Sequence, residues 1–484
     1  MSRTPGGRVV RATFAAALTA ALVLPASLSQ ARTVGYASDL TKPDAVAIVA
    51  GFRTVWRSSG ADDKHGKVLN AAQLAWNDRV VSWINQHATR AQKFRALQDA
   101  ENRTSGAGYD QSITIADGLG KRLGAFYAKG RINGSLPLTA KLVDTTDGSA
   151  GHYLGTKGAK AVFSYPRPYL KSSARAGTVG GDSSACAPSR VNASSLAALR
   201  KGKPWVTAHG NLRITRVPSA MDTTRAFAAT DVALDAGYGK ASLCLGGSFP
   251  SGHATAAYSA GLTLATLLPE LAPSILARTS EAANNRIVLG VHYPLDVIGG
   301  RMVGEAAVAA RWSDKRFRDE VLKPARDELV TYLEQRCGGT LAVCIASDTP
   351  YANDPYAGRQ VPRGGNQAVI DRISAVAAYT ARLSYGFAAV GLAGLGASVP
   401  RGAENLLRTC YPTLTAAQRR AVLAQTETSS GNTLDTTAPG PHGSAGGSWQ
   451  RLNLAAAMSA SVLRMPDGNV VVLSVGDQPS VTDA

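Results

Sequence analysis

The sequence predicts a mainly α-helical protein that ends in a small mixed unit. Apolar residues recur at helical spacing from Pro43 to about Leu142, as in AQLAWNDRVVSWINQHATRAQKFRAL and ADGLGKRLGAFYAKGRI. The same period returns from Ala254 to about Leu268, across Glu281 to Val291, from Pro294 to Ala310 and from Asp314 to Gln335. After Pro400 the texture changes, and the chain closes on MPDGNVVVLSV, where Asp467-Gly468 reads as a hairpin turn beside a β-branched strand. At 484 residues the chain exceeds the roughly 250–300 residues at which one core stops growing, so two or three units are expected.

In order along the chain, Arg3, Arg8 and Arg11 precede an apolar run from Ala12 to Leu24, followed by Pro25 and a small-residue site at Ser29-Gln30-Ala31. This is the layout of a secretory signal peptide over residues 1–31, with the exported chain beginning near Arg32. The run is short for a bilayer span, and no twin arginine is present, which favours the general export route. The remaining divisions are an N-terminal helical region over 32–115, a core over 116–340 with an insertion at about 169–249, and a C-terminal unit over 385–484. Within the insertion, TVGGDSSACAPSRVNASS reads as a surface excursion. Four glycines break the apolar stretch YGFAAVGLAGLGASVP, from Tyr385 to Pro400, which makes it a linker or packed loop. Thr415 and Gln418 have capping-box spacing ahead of a short helix, and TSSGNTLDTTAPGPHGSAGGS reads as a loose loop.

Composition is that of a folded protein, 45% hydrophobic and 18% charged. Mean hydropathy is near zero, which argues against several membrane spans, and no span is expected in the mature chain. The net charge of +18 falls to +15 without the three leader arginines, suiting an anionic substrate or envelope. No basic stretch interleaved with aromatics points to nucleic acid. With export, Cys337 and Cys344 are spaced for a local disulfide, Cys186 and Cys244 form the second expected pair, and Cys410 is left over.

Three stretches carry the chemistry. In GGSFPSGHATAAYS, Ser251 and Gly252 offer backbone N–H groups at the mouth of an alanine-rich helix, with His253 beside them. Upstream, KAVFSYPRP sets Lys160 six residues before Arg167, which Pro168 follows; downstream, NRIVLGVHYPLD sets out Arg286, His292 and Asp296. Guanidinium forks from Arg167 and Arg286 match a tetrahedral oxyanion, and Lys160 adds a point charge. Pro294 suits the first position of a helix whose first turn holds Asp296, so that carboxylate can fix the tautomer of His292 and leave its other nitrogen free to attack. His253 can protonate the leaving oxygen. Taken singly, Lys160 and Arg167 read as solvated charges, His292 as a satisfied core histidine and Asp296 as a helix-start acid; taken jointly, they point at a phosphate-like oxyanion.

These stretches resemble the signature of the type-2 phosphatidic acid phosphatase superfamily, which includes exported bacterial class A non-specific acid phosphatases and the vanadium haloperoxidases. The pattern is Lys-x6-Arg-Pro, Pro-Ser-Gly-His and Ser-Arg-x5-His-x3-Asp. Lys160, Arg167, Pro168, Pro250, Ser251, Gly252, His253, Arg286, His292 and Asp296 fit it. The resemblance implies a helical-bundle core in which His292 is phosphorylated, Asp296 supports it, His253 is the acid, and Lys160, Arg167, Ser251, Gly252 and Arg286 hold phosphate. Two features depart from the pattern. Asn285 stands where the pattern has Ser, with phosphate binding expected to survive, and 81 residues separate Pro168 from Pro250.

The expected function is therefore an exported, periplasmic or cell-envelope acid phosphatase acting on small phosphate monoesters, with no cofactor and no metal. The alternative is a vanadium-dependent haloperoxidase using the same oxyanion pocket. A lipid phosphate phosphatase is a further alternative, but its membrane members carry several spans that this chain lacks, and a metal triad of His253, His292 and Asp296 leaves the three cations unexplained. A non-enzymatic, envelope-binding role leaves the ten-position signature without purpose.

Overall fold

The helices expected between Pro43 and Leu142 form as α1 (Ala71–His87), α2 (Arg90–Ala100) and α3 (Lys121–Ile132) in a computed structural model that describes residues 35–101, 111–144, 149–171, 179–437 and 446–484. The expected signal peptide lies outside these residues, as do Thr178 and residues 438–445 of the two predicted loops. Side-chain caps start the first two helices. The Asn70 carbonyl accepts from the Gln73 N–H (3.1 Å), and the Thr89 hydroxyl from the Gln92 N–H (3.0 Å).

A short α4 (Lys157–Phe163) precedes three long helices that form the interior: α5 (Gly252–Leu267), α6 (Ala272–Val288) and α7 (Pro294–Ser313). Every residue of α6 is buried, as is α5 from Ala254 onward. Leu262, Leu264, Ile275 and Ile287 are fully enclosed, each contributing about 1.5–3 kcal/mol by leaving water. Small residues set the distance between α5 and α7. A Cβ on Gly300 would stand 2.5 Å from the Ser251 carbonyl oxygen, so only glycine lets the two backbones meet there.

Two helix boundaries differ from the sequence reading. The helix expected over Glu281–Val291 starts at Ala272, where Pro273 occupies the first turn, and ends at Val288, because Gly290 turns the chain at φ +66°. The helix expected over Asp314–Gln335 is divided. Asp314 caps a single turn, Arg318–Leu322 runs as a π-helix, and α8 (Lys323–Cys337) follows. Pro324 lacks the N–H that a regular ladder needs at this point.

The segment between Pro168 and Pro250 is anchored at several points. Cys186 and Cys244 are disulfide-bonded, and Ala185, Val191, Ala193 and Leu196 are buried. The antiparallel strands β1 (Ala220–Asp222) and β2 (Val232–Leu234) belong to it. Cys337 and Cys344 form the second disulfide, and Cys410 is a buried free thiol.

The C-terminal part packs directly on the interior helices. Its α9 (Arg372–Ser384), capped by Asp371, sends the Arg382 guanidinium to the Ala277 carbonyl (3.2 Å) and the Ser280 hydroxyl (2.9 Å) of α6. From α7, Arg301 donates to the Gln450 (2.7 Å) and Leu452 (3.2 Å) carbonyls. Between Tyr385 and Pro400 no helix forms; Tyr385 and Phe387 are buried and 388–394 are largely exposed. Thr415 caps α10 (Ala416–Thr426) with the expected capping box. Strands β3 (Ser461–Arg464) and β4 (Val470–Ser474) pair antiparallel across the Asp467-Gly468 turn, with Gly468 at φ +84°, and β5 (Ser480–Asp483) lies parallel to β3. The chain is thus mainly α-helical, with only small sheets. Among the described residues no single helix is long and apolar enough to cross a membrane.

A cation-walled candidate active site

Four pieces of chain assemble the site. Lys160 sits near the end of α4, and its ammonium donates to the Gly247 (2.8 Å) and Ser248 (3.0 Å) carbonyls. This ties α4 to the strand of chain leading into α5. The approach requires a glycine, since a Cβ at Gly247 would lie 2.6 Å from the Lys160 carbonyl oxygen. Arg167 follows in the next loop and is 6% exposed. Its Nε donates to the Leu243 carbonyl (2.7 Å) and its Nη1 to the Val291 carbonyl (2.9 Å), which joins the insertion to the histidine segment.

Ser251 is the N-cap of α5: its hydroxyl accepts from the Ala254 N–H (3.3 Å), while its own N–H donates to the Asp296 carbonyl (2.9 Å). At the first helical position, the Gly252 N–H has no acceptor within the helix. His253 Nε2 donates to the Ala100 carbonyl at the end of α2 (3.3 Å). Arg286 lies in the last turn of α6, 2% exposed, and neither its Nε nor its Nη1 has a hydrogen-bond partner.

His292 and Asp296 straddle the start of α7. Asp296 accepts from the Tyr293 N–H (2.8 Å) and from His292 Nδ1 (3.1 Å), while Arg167 Nη1 lies 3.0 Å from His292 Nε2. A guanidinium can only donate, so Nε2 is the acceptor and the ring proton sits on Nδ1. This fixes the tautomer. The start of α7 is braced from behind: Asn77 accepts from the Leu295 N–H (3.1 Å), and Arg200 donates to the Tyr293 hydroxyl (2.8 Å) while it grips Asp78 through two 3.0 Å bonds.

The pocket holds an excess of positive charge. Loss of hydration and then the neighbouring Arg167 push Lys160 well below its ordinary range, with Asp296 opposing. Burial lowers Arg167, and burial together with Arg167 brings Arg286 down to about 10. Both histidines are held well below their usual value, first by burial. The next cause is Arg286 for His253 and Arg167 for His292. Burial raises Asp296, against the pull of the Tyr293 N–H, Lys160 and Arg167. The imidazoles are therefore neutral near pH 7.

Lys160, Arg167, His253, Arg286, His292 and Asp296 thus share one electrostatic environment, with Ser251 and Gly252 at its helix mouth. Asn285 faces elsewhere: its amide nitrogen donates to Asp99 (2.7 Å) and its oxygen accepts from Gln92 (2.6 Å). The bracing residues Asn77, Asp78 and Arg200 and the Ala100 carbonyl were not read from the sequence, because they lie far along the chain in no motif. The one available signal was the glycine pair ahead of Ser248, which marks the close approach to α4.

The site thus gathers buried cations at a helix N-terminus beside a carboxylate-oriented histidine, donors of the kind that match oxyanions. Residues 149–319, which contain the motif side chains, match the PAP2 superfamily. The chain is 35% identical over 116 residues to an acid phosphatase of Zymomonas mobilis, covering 24% of this chain and 44% of that protein. It is 37% identical over 82 residues to a non-specific acid phosphatase of Providencia stuartii, covering 17% and 33%. A non-specific acid phosphatase of Salmonella typhi is 34% identical over 83 residues, again 17% and 33%. The matches therefore span less than half the length of each relative.

Proposed function

We propose that this chain is an exported phosphomonoesterase of the acid phosphatase type, which transfers the phosphoryl group first to His292 and then to water. One observation carries the reading: Lys160 and Arg167 share the single carboxylate of Asp296, and beside Arg167 two buried nitrogens of Arg286 lack any acceptor. A phosphate dianion supplies the missing charge and the missing acceptors. The names of the bacterial relatives support the same reaction class.

In this reading the substrate's phosphoryl oxygens take the donors of Arg167, Arg286, Lys160, the Ser251 hydroxyl and the Gly252 N–H. Arg167 then exchanges His292 Nε2 for an oxygen, which frees the ring's lone pair. Nε2 attacks phosphorus, the bond to the leaving oxygen breaks, and that oxygen takes a proton from His253. Asp296 holds the Nδ1 proton and stabilises the charge that the ring acquires. Water, deprotonated by His253, then displaces the phosphoryl group as orthophosphate. Because burial and the surrounding cations depress His253, the bound dianion is what raises it enough to carry the proton. Export rests on the leader-like N-terminus, and N-terminal sequencing of secreted protein is expected to begin near Arg32.

The decisive test separates the histidines. After rapid quench with labelled substrate, wild type and His253→Ala are expected to retain acid-labile phosphate, and His292→Ala none. His253→Ala is expected to lose about 10²–10⁴-fold on alkyl phosphates but far less on p-nitrophenyl phosphate, whose leaving group needs little protonation. Label trapped on His253, or equal loss on both substrates, would overturn the assignment. Turnover of bromide and peroxide with vanadate, and none of p-nitrophenyl phosphate, would overturn the reaction itself.

A further inference from the structure

A cavity of about 850 Å³ opens between α2, the turn Ala116–Leu119, α3 and the loop Thr224–Ala229, and none of the motif residues lines it. Its size is in the range of small-molecule sites. Ala125 and Ala128 of α3 bring only methyl groups to its floor, Gly124 is packed against the turn, where a Cβ would stand 2.4 Å from the Ala116 carbonyl oxygen, and Phe94 and Phe227 line it as well. Most polar side chains around it are already engaged. Gln98 donates to Asp222 (2.9 Å), as does the Thr224 hydroxyl (2.6 Å), and Arg225 pairs with Asp231 (2.8 Å).

Asp117 at the back is held by Arg95 and by Arg278 Nε (2.9 Å), so the wall is fixed before any ligand arrives. The two cations left over are Lys121 and Lys129, both exposed and outside every ion pair among the described residues. Eight residues apart on α3, they lie about 12 Å apart along the axis, one toward each end of the floor.

We propose that this cavity binds an elongated flat aromatic acid. Its rings would lie over Ala125 and Ala128 between Phe94 and Phe227, and its anionic groups would meet Lys121 and Lys129. The site is separate from the histidine pocket and does not depend on the reaction proposed there. Rings suit the floor because Ala125 and Ala128 project only methyl groups into the cavity, and the phenylalanine rings add favourable edge or offset contacts.

Naphthalene-2,6-dicarboxylate, titrated into the full chain and followed by calorimetry, is the probe. One molecule is expected to bind per chain, with millimolar orthophosphate leaving the affinity unchanged. Ala125→Trp, placed on an exposed position of α3, fills the floor and is expected to weaken binding by more than about tenfold, with the melting temperature held as the check on folding. Lys121→Ala and Lys129→Ala are each expected to cost about two- to fivefold, the measure of one exposed ion pair. Absence of saturable binding, displacement by orthophosphate, equal affinity for decanedioate, or undiminished binding by a folded Ala125→Trp would each overturn the proposal.

Discussion

Arg278 and Arg286 stand on the same helix about 12 Å apart, and both are buried to within 2% of complete enclosure. Their surroundings differ. All three nitrogens of Arg278 are bonded: Nη1 and Nη2 to Asp99 (3.0 and 2.7 Å), Nη2 also to the Thr114 carbonyl (2.8 Å), and Nε to Asp117 (2.9 Å). Although burial opposes it, Asp99, Asp117 and Glu281 hold its charge firmly in place. Arg286 is lowered by burial and by Arg167, an effect that Tyr238 and Asp99 only partly offset, and two of its nitrogens are without partners. A buried cation that meets its carboxylates belongs to the architecture, whereas one that meets other cations is waiting for an anion from outside.

Substitution at the two positions should separate these roles most widely. Arg278→Met leaves Asp99 buried with its main counter-charge removed, so we expect about 3–5 kcal/mol of lost stability in denaturant titration. Arg286→Met removes an unpaired charge and is expected to leave stability unchanged or improved. It should lower turnover of p-nitrophenyl phosphate by about 10²–10³-fold, the usual effect of removing one charge-stabilising donor. If Arg286→Met unfolds the protein, or Arg278→Met keeps its stability, the contrast between the two arginines fails.

This contrast also explains how much the sequence discloses. The spacing from His292 to Asp296 is legible because Pro294 announces the helix start that brings the pair together, and Lys160, Arg167 and Arg286 are legible because their chemistry suits one oxyanion. The balanced network is not legible. Gln92, Arg95, Asp99 and Asp117 come from one stretch and Arg278, Glu281 and Asn285 from another, and nothing local in either distinguishes a buried ion pair from a solvated one. Asn285 is the clearest case: beside Arg286 it reads as a phosphate neighbour, yet its amide is committed to Asp99 and Gln92. Among the interior helices, α5 and α7 are visible from period and caps, whereas the first turns of α6, with Pro273 and a polar run, hide the true start at Ala272.

A smaller effect should come from Glu281, which accepts from Gln92 (2.9 Å) and Tyr351 and pairs with Arg95 (2.7 Å). Burial alone would raise its carboxyl, but Arg95 and Arg278 overcome this and hold it at about 2, against an ordinary 4.5. A depressed carboxylate adds stability above its unfolded value, and that stability is lost as pH falls toward the folded one. The window therefore runs from about pH 4.5 to 2, and its full depth is on the order of 3 kcal/mol. Glu281→Gln is expected to flatten the stability curve through that window. An unchanged slope would place the acid sensitivity elsewhere.

The smallest expected effect is the most direct reading of the unpartnered Arg286 nitrogens. If Arg286 lacks acceptors because its partner is an oxyanion, orthophosphate should bind the folded chain and raise its melting temperature. At one hundred times its dissociation constant, a ligand that binds only the native state adds about 2.7 kcal/mol, which in a chain of this size amounts to a few degrees. Sodium chloride at matched ionic strength should not reproduce the shift, because screening weakens the repulsion among Lys160, Arg167 and Arg286 without filling any hydrogen bond. Glu281→Gln should keep the phosphate shift, since its network lies on the balanced side of α6. Arg286→Met should lose most of it while remaining folded. An equal shift in wild type and Arg286→Met would mean that phosphate binds elsewhere, and that the bare nitrogens of Arg286 are a cost of the fold rather than the mark of a site.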